Sequence, residues 1–226
     1  MAKQRGLPTW EQIFGLQERS AVFSRHYHDI LKKVFLNREN ENKKTFLVTS
    51  AVASEGKTFT AVNLAAVLAR SGRTLLVDAN FLNPMSGVVF GIAEGTGLAE
   101  VLTNRAELKD ALMINKDLPN LHLLIGGSQA IAAVEMFSPA CIGNFIETIK
   151  SSYRYILFDG SAVKSTNDSL VLSSVVDGTF LVVRSDSTQK EELLSARFNI
   201  EKYNGNIAGV VLNRVPRYVP SFYRTV

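Results

Sequence analysis

Residues 46–64 read FLVTSAVASEGKTFTAVNL, and no other stretch limits the fold so tightly. The apolar run Phe46–Val48 halts at Thr49 and Ser50, and a loop of small residues then closes in Gly56, Lys57 and Thr58. A helical pattern follows at once, so the spacing predicts a strand, a phosphate-binding loop and a helix. Each residue type has a physical reason. Gly56 lets the backbone close round a phosphate with no Cβ in the way, and Lys57 brings a point charge to the β- and γ-phosphates. The Thr58 hydroxyl can ligate magnesium, and the helix N-terminus adds its own partial positive charge. The full loop pattern has glycine six positions before the lysine; here that position is Ala51.

The rest of the chain narrows the class. With 226 residues, 46% of them apolar, there is material for one α/β domain with a large core. No apolar run approaches the ~18–20 residues of a membrane span, and MAKQRGLPTWEQIFG has no apolar core of signal-peptide length. The one cysteine, Cys141, excludes an internal disulfide, fits a reducing cytoplasm, and reads as a small buried hydrophobe. His26 and His28 point to different sides of a helix and His122 stands alone, so they do not suggest a metal site. The net charge of +4 sits at the ends: residues 1–44 carry nine Lys or Arg against five acids, and residues 212–226 carry three Arg and no acid. Basic ends can face anionic lipid or an acidic partner, though ordinary solvated termini explain them as well. No basic stripe is interleaved with aromatics, which argues against nucleic acid.

Strand-like runs recur at 74–77, 121–125, 155–158, 180–183 and 207–212, and helical patterns fill most gaps, as at 61–70, 141–150 and 190–203. An amphipathic helix over Phe23–Phe35 precedes the first strand. Alternation with nearly unbroken apolar strands predicts a single α/β domain, a parallel β-sheet with helices on both faces. Ligands then bind beyond the C-terminal strand ends. The chain divides into an N-terminal helical segment (1–44), a P-loop nucleotide-binding domain (45–215) and a tail (216–226).

Two of those strand ends carry acids. Leu75–Val77 runs into Asp78, and Ile156–Phe158 runs into Asp159. Either alone could be a turn or helix cap. Together, in this order after a Gly-Lys-Thr loop, they are the hard oxygen ligands that a magnesium–nucleotide site needs near Thr58.

With these residues in view the chain resembles a family, the bacterial tyrosine kinases that regulate capsule and exopolysaccharide export. TSAVASEGKT (49–58) resembles the family's Walker A, LLVDANFLNP (75–84) its Walker A′ and YRYILFDGSA (153–162) its Walker B. FGIAEGTGLAEVL (90–102), PNLHLLIGG (119–127), VVDGTFLVVR (175–184) and GVVLNRV (209–215) agree with it between and after those motifs. The likeness covers roughly residues 25–215. It implies ATP and Mg²⁺ as cofactors, with Ser54, Glu55, Gly56, Lys57, Thr58 and Phe59 around the phosphates and Asn213 near the adenine. By the same carry-over Lys57 and Asp78 are catalytic, Asp78 as base, and Thr58, Asp78 and Asp159 hold the metal. Tyr218 and Tyr223 become candidate phosphoacceptors, with structural anchoring as the plainer alternative.

The implied protein is a cytoplasmic ATP-dependent tyrosine (auto)kinase, a transferase acting on itself or on another protein's tyrosine. A membrane polysaccharide co-polymerase or adaptor would activate it and bring it to the membrane, and homo-oligomers are common in the family. LPTWEQIFGL, with Trp10, Ile13 and Phe14 at helical spacing, is a candidate docking segment.

Departures keep two other functions in play. The second acid of the Walker A′ is Asn80 and its arginine is Leu82, while Ser161 and Ala162 replace the prolines after Asp159. Where the family's oligomerisation helix reads Glu-x-x-Arg-x-x-Arg, RHYHDIL places Arg25, His28 and Leu31, which argues against a ring built on that contact. These changes favour a catalytically weakened ATP-binding regulator or adaptor. A partition-type ATPase comes third, because Val52 stands where that group carries a second lysine.

Overall fold

The structure, a computed structural model, describes residues 19–36, 42–92, 95–114, 118–128 and 137–216. Fifteen elements follow one another in these segments: α1 (Arg19–Leu36), β1 (Thr45–Ser50), α2 (Lys57–Ala69), β2 (Thr74–Asp78), α3 (Ser86–Val89), α4 (Leu98–Leu102), α5 (Leu108–Ala111), β3 (Met113–Ile114), β4 (Leu121–Leu124), α6 (Pro139–Ile149), β5 (Tyr155–Ala162), α7 (Asp168–Ser173), β6 (Gly178–Arg184), α8 (Lys190–Lys202) and β7 (Ile207–Asn213).

The strands form one sheet in the order β3-β4-β2-β5-β1-β6-β7. Every pairing is parallel except β3 with β4. This is the single α/β domain, a P-loop-type sheet between helices. The central strands are apolar on both faces because both faces are covered. Phe46, Val48, Leu76, Leu157, Phe180 and Val182 point into a layer built from α1 and α2. Their sequence neighbours Leu47, Leu75, Val77, Ile156 and Phe158 point into the opposite layer, where α4, α6 and α7 pack. Ala196 and Ile200 of α8 close a smaller cluster over Leu181.

Helix boundaries follow local chemistry. Ser138 caps α6, its hydroxyl accepting from the Cys141 N–H at 3.3 Å, and Pro139 opens the first turn. Leu31 of α1 is buried against the sheet, whereas Arg25 and His28 are exposed. Among the described residues no helix is long and apolar enough to cross a membrane. Trp10, Ile13 and Phe14 lie outside the described residues, as do Tyr218 and Tyr223.

Candidate functional site

β1 lies between β5 and β6, and β2 lies beside β5, so the ends of these strands converge at one edge of the sheet. The loop of residues 51–56 leaves β1 there and turns into α2. Gly56 has φ +94°, a left-handed backbone that other residues adopt only under strain, and a Cβ would stand 2.1 Å from Asn213 Nδ2. Ala51 is tolerated where the full pattern has glycine because its methyl is buried among Val163, Leu170 and Leu181.

The loop is held from two sides. Glu55 is 2% exposed, and its carboxylate accepts from the Val52 N–H at 3.2 Å, the Arg184 N–H at 3.4 Å and the Thr188 hydroxyl. Asn213 donates its amide N–H to the Glu55 carbonyl at 2.9 Å and accepts the Arg214 N–H at 2.9 Å. Both side chains are thereby committed to shaping the loop. The sequence places them beside a nucleotide, but it gives no sign of this bracing. Ser54 and Phe59 are exposed, and Thr58 is half-buried at the start of α2.

Lys57 is 8% exposed. Burial lowers the pKa of its ammonium, and the carboxylates of Asp159 and Glu55 counter that in part. Asp78 and Asp159 face each other in register on β2 and β5, and neither has any solvent exposure. Asp78 Oδ1 accepts the Asn80 N–H at 3.1 Å and its Oδ2 accepts the Ser86 N–H at 2.9 Å. The Ser86 hydroxyl donates to Asp159 Oδ2 at 3.2 Å, so one serine ties the two acids together. Ser86 belongs to no motif read from the sequence.

Burial raises the pKa of both acids, and for Asp159 the charge of Asp78 is the next cause. Thr58, Lys57 and Ser86 offset it. Asp159 Oδ1 is buried with no hydrogen-bond partner. Two buried carboxylates that discourage each other's ionisation, one with an unpartnered oxygen beside a threonine and a lysine, fit a hard dication. The donor set therefore suits magnesium with a phosphate chain.

β2 stops at Asp78, and the Asn80 amide donates to the Asn83 carbonyl at 2.9 Å, closing a turn. Leu82 is 64% exposed at that turn.

Comparison with known proteins bears on the family and the fold. A family model described as an AAA domain matches residues 48–184. The tyrosine-protein kinase YwqD of Bacillus subtilis (strain 168) is 26% identical over 214 residues, covering 94% of this chain and 90% of that protein. The putative tyrosine-protein kinase CapB of Staphylococcus aureus is 24% identical over 218 residues, covering 96% and 94%. The crystal structure of the chimerical protein CapA2B2 shares the fold with a TM-score of 0.83 at 23% identity, covering 93% of each chain. The septum site-determining protein MinD of Pyrococcus horikoshii OT3, complexed with Mg-ADP, gives 0.66 at 23% identity, covering 77% of this chain and 71% of that one. The likeness covers more of this chain in the first of these structures than in the second.

Proposed function

Since the chain belongs to the AAA domain family, matched over residues 48–184, we propose that it is an ATP-dependent protein-tyrosine kinase of capsule or exopolysaccharide synthesis. One observation carries this reading: the buried, in-register pair Asp78 and Asp159, with an unpartnered carboxylate oxygen, at the sheet edge that holds Lys57. The names of the relatives, tyrosine-protein kinases matched over nearly their whole length, support it.

Gly56 and the first turn of α2 would receive the phosphate chain, and Lys57 would neutralise the β- and γ-phosphate oxygens. Thr58, Asp78 and Asp159 would hold Mg²⁺, whose charge offsets that developing on the phosphates. Asp78 would accept the phenolic proton as the tyrosyl oxygen bonds to the γ-phosphorus. The bond from that phosphorus to the β–γ bridging oxygen breaks, and ADP leaves. Burial raises the carboxyl pKa of Asp78, and the N–H donors of Asn80 and Ser86 lower it, as a bound dication also would. The acceptors would be Tyr218, Tyr223 or a tyrosine of another protein, and the activating partner the cytoplasmic end of a membrane polysaccharide co-polymerase.

The test is transfer of radiolabelled phosphate from ATP to the protein, with and without such a partner segment. Label on tyrosine that disappears in Lys57→Ala is the expected result. ATP binding with no label under either condition would favour the regulator. Asn80, turned toward Asn83 rather than offering a carboxylate, is the observation on that side.

A further inference from the structure

The sheet edge opposite the nucleotide site, where the parallel strands begin, is strongly basic. Among the described residues its loops, 42–44, 70–73, 118–120, 150–154, 174–177 and 203–206, hold Lys43, Lys44, Arg70, Arg73, Lys150 and Arg154 against one acid, Asp177. Asp177 is turned to the backbone, its Oδ2 accepting the Lys44 N–H at 2.9 Å and the Thr45 N–H at 2.8 Å. Lys150 is paired with Glu147 of its own helix.

Three of these cations stand side by side. The Arg154 N–H donates to the Arg73 carbonyl at 2.8 Å, and the Ile156 N–H to the Lys44 carbonyl at 2.8 Å. Lys44, Arg154 and Arg73 therefore head the adjacent strands β1, β5 and β2, within about 10 Å of one another at the usual strand spacing. All three are exposed, and among the described residues no carboxylate pairs with their side chains. The Arg154 guanidinium donates to the Ser71 carbonyl at 2.6 Å and lies 5.5 Å from the centre of the Tyr155 ring, which holds it in place at the surface. α1 ends at the same edge, its Phe35 ring 5.7 Å from those of Phe46 and Tyr155, so the exposed Lys32 and Lys33 extend the array.

We propose that this edge is a docking face for an anionic phospholipid bilayer, with Lys44, Arg73 and Arg154 at its centre. The cations are spread along a row and do not converge on one point, which suits a plane of anionic headgroups better than a single small anion. The aromatic rings beside them, Phe35 and Tyr155, pack against Phe46 and beneath Arg154, so neither is offered to a base as single-stranded nucleic acid would need. With this face on the bilayer, the eight residues of β5 hold the nucleotide edge about 26 Å from the headgroups, open to a protein substrate. Membrane contact goes beyond phosphate transfer and does not depend on it.

The test is sedimentation of the whole chain with vesicles of phosphatidylcholine alone, or of phosphatidylcholine with phosphatidylserine. Binding to the anionic vesicles only, falling as salt rises from ~0.05 to ~0.3 M, is expected. Each cation lost should weaken it about fivefold, so Lys44→Gln, Arg73→Gln and Arg154→Gln together should cost about a hundredfold. Arg154→Lys, which keeps the charge and gives up the Ser71 hydrogen bond, should bind as the parent does. Lys44→Gln alone should still show its fivefold loss if the triple variant does not fold. Parental binding by the folded triple variant, or no binding of the parent to anionic vesicles, overturns the membrane face. Tighter binding to duplex DNA or to polyglutamate than to the vesicles at the same salt, lost in the triple variant, overturns it too and gives the edge to that polymer. Phosphate transfer in solution should be equal in parent and triple variant; its absence from both overturns the kinase reading and leaves the vesicle result untouched.

Discussion

Lys57 carries its charge where water hardly reaches, and the two carboxylates that face it only partly offset its burial. An ammonium in that position gains most when a polyanion arrives. Lys57→Ala is therefore expected to weaken Mg-ATP binding by about 1.5–3 kcal/mol, the scale of one hydrogen bond to a charged group. Calorimetry on parent and variant measures it, and equal affinities would mean that the loop is not the site. Glu55 illustrates a different kind of neighbour. Its carboxylate reaches Val52 on its own loop and Arg184 and Thr188 at the end of β6, 129 and 133 positions away. Gly56, Lys57 and Thr58 are legible in the sequence because they are adjacent and their chemistry is local. The Glu55 brace was not legible, because its partners meet it only after the sheet has formed. The same holds for Ser86, which becomes the link between two acids only once β2 and β5 lie in register.

At the scale of elements, the parallel strands are what a sequence shows best, since burial on both faces leaves unbroken apolar runs. The runs at 74–77, 121–125, 155–158, 180–183 and 207–212 correspond to β2, β4, β5, β6 and β7. β3, two residues long and antiparallel, is too short to show any period. β5 continues through Asp159 to Ala162, past the end of its apolar run. It does so because Ala162 pairs with Ser50 and the Ser161 carbonyl accepts the Thr49 hydroxyl at 2.6 Å.

Glu100 accepts the Gly97 N–H at 2.8 Å, the Ser128 N–H at 3.0 Å and the Ser128 hydroxyl at 2.7 Å, which clamps the start of α4 to the segment that leaves β4. That clamp was equally hidden, and it makes a measurable prediction. Burial alone would raise the pKa of Glu100, but the Ser128 and Gly97 donors outweigh it and hold the carboxyl below its ordinary value of 4.5. A carboxylate with a depressed folded-state pKa adds stability that is fully present above the unfolded value and is lost as the pH falls through the folded one. Glu100→Gln, which replaces one acceptor oxygen with a donor, should cost about 1–3 kcal/mol near neutral pH. The gap between parent and variant should narrow in denaturant melts taken from about pH 6 to about pH 3. A gap that stays constant over that range would show that the charge of Glu100 is not what holds the clamp.

The molecule as a whole brings its candidate ligands from three distant places, the loop after β1, the end of β2 and the end of β5, to one edge of a seven-stranded sheet. No unfolded chain presents that arrangement, so a nucleotide bound there should stabilise the native state by mass action. At a hundredfold excess over Kd the gain is about 2.7 kcal/mol. For a domain of this size each kcal/mol moves Tm by about 2–4 °C, which makes the expected rise roughly 5–11 °C. Much of it should depend on the metal. Without magnesium, Asp78 and Asp159 are buried acids that discourage each other's ionisation, and a phosphate chain brings them still more negative charge. Thermal melts with ATP plus magnesium, and with ATP plus a chelator, separate the two contributions. The chelated sample should show a much smaller rise. In Asp159→Asn, which removes one of the paired charges and the oxygen that lacks a partner, the two samples should come closer together. Equal rises with and without magnesium in the parent would mean that the paired carboxylates hold no metal. The phosphate loop would then bind its nucleotide alone.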